Sequence, residues 1–234
     1  MSETIDTGDT AVTLNYPLHR RVLDVFVAPG RLFEHFRHAT PWVGPLVISV
    51  VVGLIVVFAI PQELYVEQAR ETMRNAPAGA ELPAAETLAG FGRLAGAASV
   101  LFGVPIGAFV MAGVLALIFG VFFSGEARFT QFLTVVTHTQ LIGALGALVT
   151  LPVQLATGSL ETRLSLALLV PGLGTESVAG RVLAGLDLFT LWTVVVVGLG
   201  VAIVNRKPSW AAASAILFAV QFAIVAAFAA VAAG

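Results

Sequence analysis

WVGPLVISVVVGLIVVFAI, residues 42–60, carries no charged side chain and is bounded by Pro41 and Pro61. The hydrocarbon core of a bilayer is about 30 Å thick, a distance that roughly 20 apolar residues cross as a helix. Trp42 stands where an amphipathic aromatic ring anchors a span at the headgroups. The stretch therefore reads as a membrane-crossing helix. Composition agrees: of the 234 residues, 58% are hydrophobic and 11% charged, against about 25% charged in soluble domains. A water-soluble fold of this length could not hide so much apolar surface.

Outward from that segment the pattern repeats. No charge occurs between Arg93 and Glu126, which places a second span at about 97–123 with Pro105 expected to kink it. A third, near 131–156, fits the uncharged run between Arg128 and Glu161, with Pro152 toward its far end. The fourth and fifth, at 188–204 and 211–233, are separated only by NRKPSW and so form an antiparallel pair. LSLALLVPGLGT, residues 164–175, is too short to cross and is broken by Pro171 and Gly172; it reads as interfacial or re-entrant.

Polar segments frame these spans. Residues 1–13 are acidic and poor in large apolar groups, which predicts a disordered tail. Over 14–41, Leu32, Phe33 and Phe36 share one side of a helix while Arg31, Glu34 and His35 lie mostly elsewhere, as in a helix lying in the membrane surface. After Pro61, QELYVEQARETMR sets Val66, Ala69 and Met73 beneath a face of Glu63, Glu67, Arg70, Glu71 and Arg74, the pattern of a solvated amphipathic helix, followed by the linker APAGAELPAA. The expected fold is all-α: a polytopic membrane bundle of about five transmembrane helices over 42–234, with amphipathic interfacial helices.

Orientation follows from the basic residues. With the N-terminus cytoplasmic, the inner segments hold Arg20, Arg21, Arg31, Arg37, Arg128, Arg206 and Lys207, and the outer ones Arg70, Arg74, Arg93, Arg163 and Arg181. The outer segments are longer and hold most of the glutamates, while the tight NRKPSW turn has two cations and no acid. Glu3, Asp6, Asp9 and Asp24 occupy the region where a signal peptide would show a basic start and an apolar run, so the N-terminus is expected to be retained.

Several function classes fall away. Net charge is −2 and the twelve Lys plus Arg are scattered, which excludes the basic stripe that nucleic-acid binding needs. The absence of cysteine removes thiolate chemistry, disulfides and Cys-based zinc sites. No H-E-x-x-H, G-x-S-x-G, Walker A or dinucleotide-binding glycine motif occurs, and no catalytic, cofactor or metal residues are assigned. Glu34, His35 and His38 come nearest to a metal motif but lack a third helical ligand, so a solvated interfacial face is preferred.

TVVTHTQLIGALG, residues 134–146, opens the third span with a polar cluster of Thr134, Thr137, His138, Thr139 and Gln140. In lipid such groups cost about 1–3 kcal/mol or more unless partnered, so they should face helices or a water-filled cavity. A proton relay or ligand contact at His138 competes with interhelical hydrogen bonding, and the second is preferred. Gln154 and Gln221 read as single cross-helix amides. Asp187, three residues before Thr190, reads as the N-cap of the fourth span. No Asp, Glu, Lys or Arg lies near the middle of any span, which argues against a charge-coupled pump. In the last span Ala211, Ala215, Ala219, Ala223 and Ala227 recur every four residues, a helix-packing face for which contact within the bundle is preferred over a dimer contact. Gly143, Gly146, Gly198 and Gly200 offer similar small surfaces.

The order of these features resembles the Yip1 family of membrane proteins in its bacterial form. VFVAPGRLFEHF, PWVGPLVISVVVGLI, RFTQFLTVVTHTQLIGALG and LDLFTLWTVVVVGLGVAIV carry the likeness, the last most specifically through Asp187, Phe189, Trp192, Gly198 and Gly200. It covers roughly residues 20–233. The resemblance implies a five-helix bundle with a cytosolic N-terminus; eukaryotic members are associated with Rab GTPases and vesicle trafficking, whereas the tail here is short, acidic and without a recognisable docking motif. The leading expectation is a non-catalytic scaffold or membrane-organising protein in the inner membrane, contacting the lipid bilayer and a membrane-protein partner or a second copy. The alternative is a small channel or transporter subunit with a polar path through His138 and Gln154.

Overall fold

The computed structural model describes residues 16–77, 81–160, 165–166, 170, 177–184 and 186–231. The tail expected over 1–13 lies outside the described residues, and so does 164–175 apart from Ser165, Leu166 and Val170. Nine helices are described: α1 (Leu18–Val27), α2 (Pro29–His35), α3 (Val43–Ala59), α4 (Gln62–Arg74), α5 (Ala85–Phe122, including two π-helical turns), α6 (Phe129–Thr157), α7 (Val178–Ala184), α8 (Leu188–Asn205) and α9 (Trp210–Val231). Among the described residues there are no strands, only an isolated bridge between Ser165 and Asp187.

Four of these, α5, α6, α8 and α9, are long and apolar enough to cross a bilayer, and a fifth crossing comes from α3 if its bent pair with α4 is one span. The chain turns by 78° between α3 and α4. Ile60, held extended (φ −72°, ψ 123°) ahead of Pro61, makes the corner, because a proline disfavours helical geometry in the residue before it. α4 then runs back over the start of α5: Tyr65 and Ala69 bury against Ala89, and Tyr65 Oη donates to Val57 O at 3.2 Å. Tyr65 and Ala69 form its buried stripe, while Met73, expected there, is exposed.

The second crossing is longer than the uncharged run suggests. α5 has 38 residues, about 57 Å at 1.5 Å per residue, so its N-terminal part extends past the hydrocarbon and packs on α4. Pro105 does not end it. A π-helical turn over Ser99–Gly103 precedes the proline, with Val104 N bonding Ser99 O, so the bonding register shifts where the ring would otherwise collide with the preceding turn.

Large apolar side chains stand on the surface while several polar ones lie inside. On α3, Val47, Val51, Ile55 and Phe58 form a stripe that is 48–56% exposed, whereas Thr134, Thr137, His138 and Asn205 are wholly buried. Continuous exposed apolar surface of this kind is stable against hydrocarbon and not against water.

α1 and α2 form an elbow at the end of the bundle where α6 begins. Asp24 accepts from Tyr16 Oη and, at 2.8 Å, from Arg31 Nη2. Burial raises the Asp24 carboxyl, but these two hydrogen bonds and the Arg31 and Arg20 charges outweigh it and hold the group below the ordinary carboxylate range. Arg21 donates to Pro41 O at 3.0 Å, fixing the elbow to the entry of α3. Leu32, Phe33 and Phe36 lie on the apolar face expected to rest in lipid, yet all three are fully buried in the main core with α6 and α8. Protein occupies that face because α8 offers a recess there: a Cβ on Gly200 would stand 2.6 Å from Val135 Cγ1 and 3.1 Å from Phe33 Cε2.

The same helix receives α9 at Gly198, where a Cβ would stand 2.8 Å from Ser214 N and 2.9 Å from its Cα. α9 consequently faces the bundle with Ala213, Ser214 and Leu217, and Ala211, Ala215, Ala219, Ala223 and Ala227 are all exposed. Contrary to the preference for contact within the bundle, the bundle does not pack on the alanine row. Asn205 locks the two turns at this end together: Nδ2 donates to Phe119 O (2.9 Å) and Lys207 O (2.6 Å), and Oδ1 accepts from Ala127 N (3.2 Å).

Gly198→Ala forces backbone apart at the α8–α9 contact and is expected to lower stability by about 1–3 kcal/mol. Gly113→Ala, with nothing within 4 Å of the added Cβ, should be neutral or stabilising by up to about 1 kcal/mol through helix propensity. Thermal unfolding of both variants in one detergent decides the matter; equal midpoints would contradict this packing.

Candidate functional site

The polar cluster of α6 divides between two faces of the helix. Thr134, Thr137 and His138 point into the main core. Their polar atoms turn back on their own helix: Thr134 Oγ1 donates to Thr130 O (2.7 Å), Thr137 Oγ1 to Thr134 O (3.2 Å), and His138 Nδ1 lies 2.8 Å from Thr134 O. Since a carbonyl only accepts, that contact assigns the proton to Nδ1. The imidazole packs against Phe36 with ring centroids 4.4 Å apart, and Nε2 is buried without a hydrogen-bond partner. His138 is thus packed in the core, and it is not among the residues that line the cleft on the other face.

Thr139 also donates to its own helix, to Val136 O at 2.9 Å. With it, Gln140, Gly143, Gly146, Thr150 and Gln154 follow the helical repeat down the opposite face of α6 and line a cleft of about 890 Å³. α6 and α8 form its floor, α5 and α9 its walls, and Val56 and Ile60 of α3 reach one end. Val110, Met111 and Ile224 belong to this lining and are exposed, so the cleft is continuous with the lipid-facing surface. The glycines set its depth; at Gly146 a Cβ would come within 2.7 Å of Phe189 Cγ.

Polar groups are few along this apolar cleft and most have protein partners. Gln140 Nε2 donates to Val104 O at 3.2 Å, bridging α6 to the turn before Pro105, while its Oε1 is buried without a partner. Gln154 Nε2 donates to Leu160 O at 3.0 Å, just beyond the end of α6. At the start of α8, Asp187 Oδ1 accepts from Thr190 N at 2.9 Å and Oδ2 from Thr190 Oγ1 at 2.5 Å, so the carboxylate caps the helix. Gln221 lines the α9 wall. The structure therefore brings Gln140, Gln154, Asp187 and Gln221 to one cleft and leaves His138 outside it.

Glu34, His35 and His38 do not converge. Glu34 pairs with Arg37 at 3.1 Å and the His35 ring stands edge-on to Tyr16. Among the described residues no group of three His, Cys, Asp or Glu could hold a metal ion. Sequence reasoning missed Asn205, whose only signal is an amide at the end of an apolar run, and Thr193 of α8, which lines the cleft beside Thr190.

The family model for the Yip1 domain matches residues 23–232, nearly the whole chain. No curated protein and no solved structure matches it.

If His138 is a packing residue, His138→Leu exchanges one local hydrogen bond and one unpartnered nitrogen for apolar contact and should shift stability by less than about 1 kcal/mol. Phe36→Ala, which empties the other half of that contact, should cost about 3–5 kcal/mol. Denaturation in detergent micelles compares the two, and a larger loss for His138→Leu would show that its ring does more than fill space.

Proposed function

The chain belongs to the Yip1 family of integral membrane proteins, and from that premise we propose that it is a non-catalytic membrane-organising protein that assembles with other transmembrane helices. The observation that carries this reading is the free face of α9. Ala211, Ala215, Ala219, Ala223 and Ala227 run along it, all exposed, while the bundle uses a different stripe of the same helix. In lipid, apolar surface alone gives helices no reason to associate; close backbone approach over small side chains does. The occupant of this row is a helix of a membrane-protein partner or of a second copy.

The non-catalytic part of the proposal draws on the cleft. Asp187 is the one titratable residue among its described lining, and both carboxylate oxygens are engaged with Thr190. An acid, a base and a nucleophile at one depth are what a reaction within the membrane would require. A transport role would use the same cleft, through Gln140 and Gln221 and not through His138. We further propose that α1, α2 and the ends bearing Arg37, Arg128, Arg206 and Lys207 face the cytoplasm, following the bias of basic residues, and that in a bacterial cell the protein resides in the inner membrane.

Because the chain has no cysteine, single cysteines can be read without background. Ala215→Cys, Ala219→Cys and Ala223→Cys should give cross-linked species in native membranes, identified by mass spectrometry as a defined homo-oligomer or a reproducible partner. Leu217→Cys, on the buried stripe, should give little. A stable monomer with no cross-linked partner at any of the alanine positions would refute the proposal.

A further inference from the structure

Around the bundle end where α6 begins and α8 ends lies a second pocket, about 450 Å³ in volume and unlike the first in chemistry. Three stretches far apart in sequence build it: Arg37 to Thr40 after α2, Glu126 to Gln131 at the start of α6, and Val204 to Arg206 at the end of α8. It gathers Arg37, Arg128, Arg206 and His38 around a single carboxylate, Glu126.

These stretches are fixed in place by hydrogen bonds beneath the pocket. Gln131 Nε2 donates to Phe36 O (3.1 Å) and Arg37 O (3.2 Å), joining the first stretch to the second. The buried Asn205 joins the second to the third, its Oδ1 accepting from Ala127 N at 3.2 Å and its carbonyl from Glu126 N at 3.4 Å. The fold therefore brings the chain positions of the three arginines to one pocket.

Charge in this pocket is out of balance. Arg206 pairs with Glu126 at 3.2 Å and Arg37 with Glu34 at 3.1 Å, but Glu126 and Glu34 are more than half exposed, and such pairs are weak and readily exchanged. Among the described residues no carboxylate pairs with Arg128. Moreover, Arg128 occupies the N-cap of the 29-residue α6, and the first turn of that helix contains no acid. The N-terminal end of a helix carries partial positive charge and ordinarily attracts anions, so an unpaired cation there is unfavourable by itself. A bound anion would remove the conflict.

The geometry points to a phosphate-binding pocket formed by Arg37, Arg128 and Arg206. Guanidinium groups match phosphate oxygens with paired donors, and three of them around one site suit a tetrahedral anion better than a lone carboxylate. The pocket lies at the ends of α6 and α8, both membrane-crossing helices, and so at headgroup depth, where phospholipids present phosphate. The same chemistry would accept free inorganic phosphate.

Full-length protein in mild detergent provides the test. Native mass spectrometry with added phosphatidylglycerol or phosphatidylcholine reads lipid retention, and thermal unfolding in phosphate against chloride at matched ionic strength reads the free ion. Wild type should retain phosphatidylglycerol severalfold better than phosphatidylcholine; Arg128→Gln and, independently, Arg206→Gln should abolish that preference, while Arg74→Gln on the distant α4 should keep it. Stabilisation by inorganic phosphate that is lost in the two pocket variants, without lipid preference, would identify the free ion as the ligand of the same pocket. Should neither ligand distinguish wild type from whichever of the two variants folds normally, the pocket is not a phosphate site and the inference is overturned.

Discussion

Two glycines two positions apart on α8, and so on nearly opposite faces of it, determine how the bundle closes. At Gly200 the helix admits Val135 of α6 and Phe33 of α2, and at Gly198 it admits the backbone of α9. Among helices dissolved in hydrocarbon there is little to gain by covering one apolar surface with another, so cohesion comes from the closeness of fit. α8 is consequently the common neighbour: α6 lies on one side, α9 on another, and α2 packs on it with Phe33 at Gly200 and Phe36 against His138 of α6. The cleft and the alanine row are both consequences of this arrangement. With α9 seated on α8 by Ala213, Ser214 and Leu217, it cannot also close over α6, and its alanines are turned outward.

Crossing helices were legible in the sequence because hydrocarbon imposes a hard condition on length and charge, and the uncharged stretches of this chain meet it plainly. Their facing was not. Leu32 and Phe33 are as compatible with lipid as with a protein core, and hydrophobicity gives both environments the same signature; only the recess at Gly200, formed by residues more than a hundred positions away, decides between them. A row of alanines likewise marks a surface able to pack without saying which neighbour packs on it. The length of α5 was hidden for a related reason: the stretch between the linker and the uncharged run carries Glu86 and Arg93, and its place in the helix shows only where α4 folds back to bury Tyr65 against Ala89.

The polar residues show the same division between type and place. Asp187 was readable from local chemistry, since a carboxylate three residues ahead of a threonine at the start of a helix has an obvious bond to accept, and it makes that bond within a single turn. Thr134, Thr137, His138, Thr139 and Gln140 read as one cluster, but the helical repeat distributes them over opposite faces, so His138 rests on Phe36 while Gln140 looks across the cleft to α5. Asn205 joins two turns that are remote in sequence, and no local pattern announces such a link. It also holds together the stretches of chain that carry Arg128 and Arg206, which makes a structural amide the organiser of the pocket they line.

The account rests on hydrocarbon being the solvent for the exposed apolar stripe and protein being the environment of the buried polar residues. Single spin-labelled cysteines at Val47, Val51 and Ile55 on α3, in protein reconstituted into phospholipid vesicles, measure this directly through collision with dissolved oxygen and with a water-soluble nickel chelate. High oxygen accessibility and protection from nickel at all three positions is the predicted result. Free access of the nickel chelate to them would mean that this face meets water, and the membrane bundle described here would be contradicted.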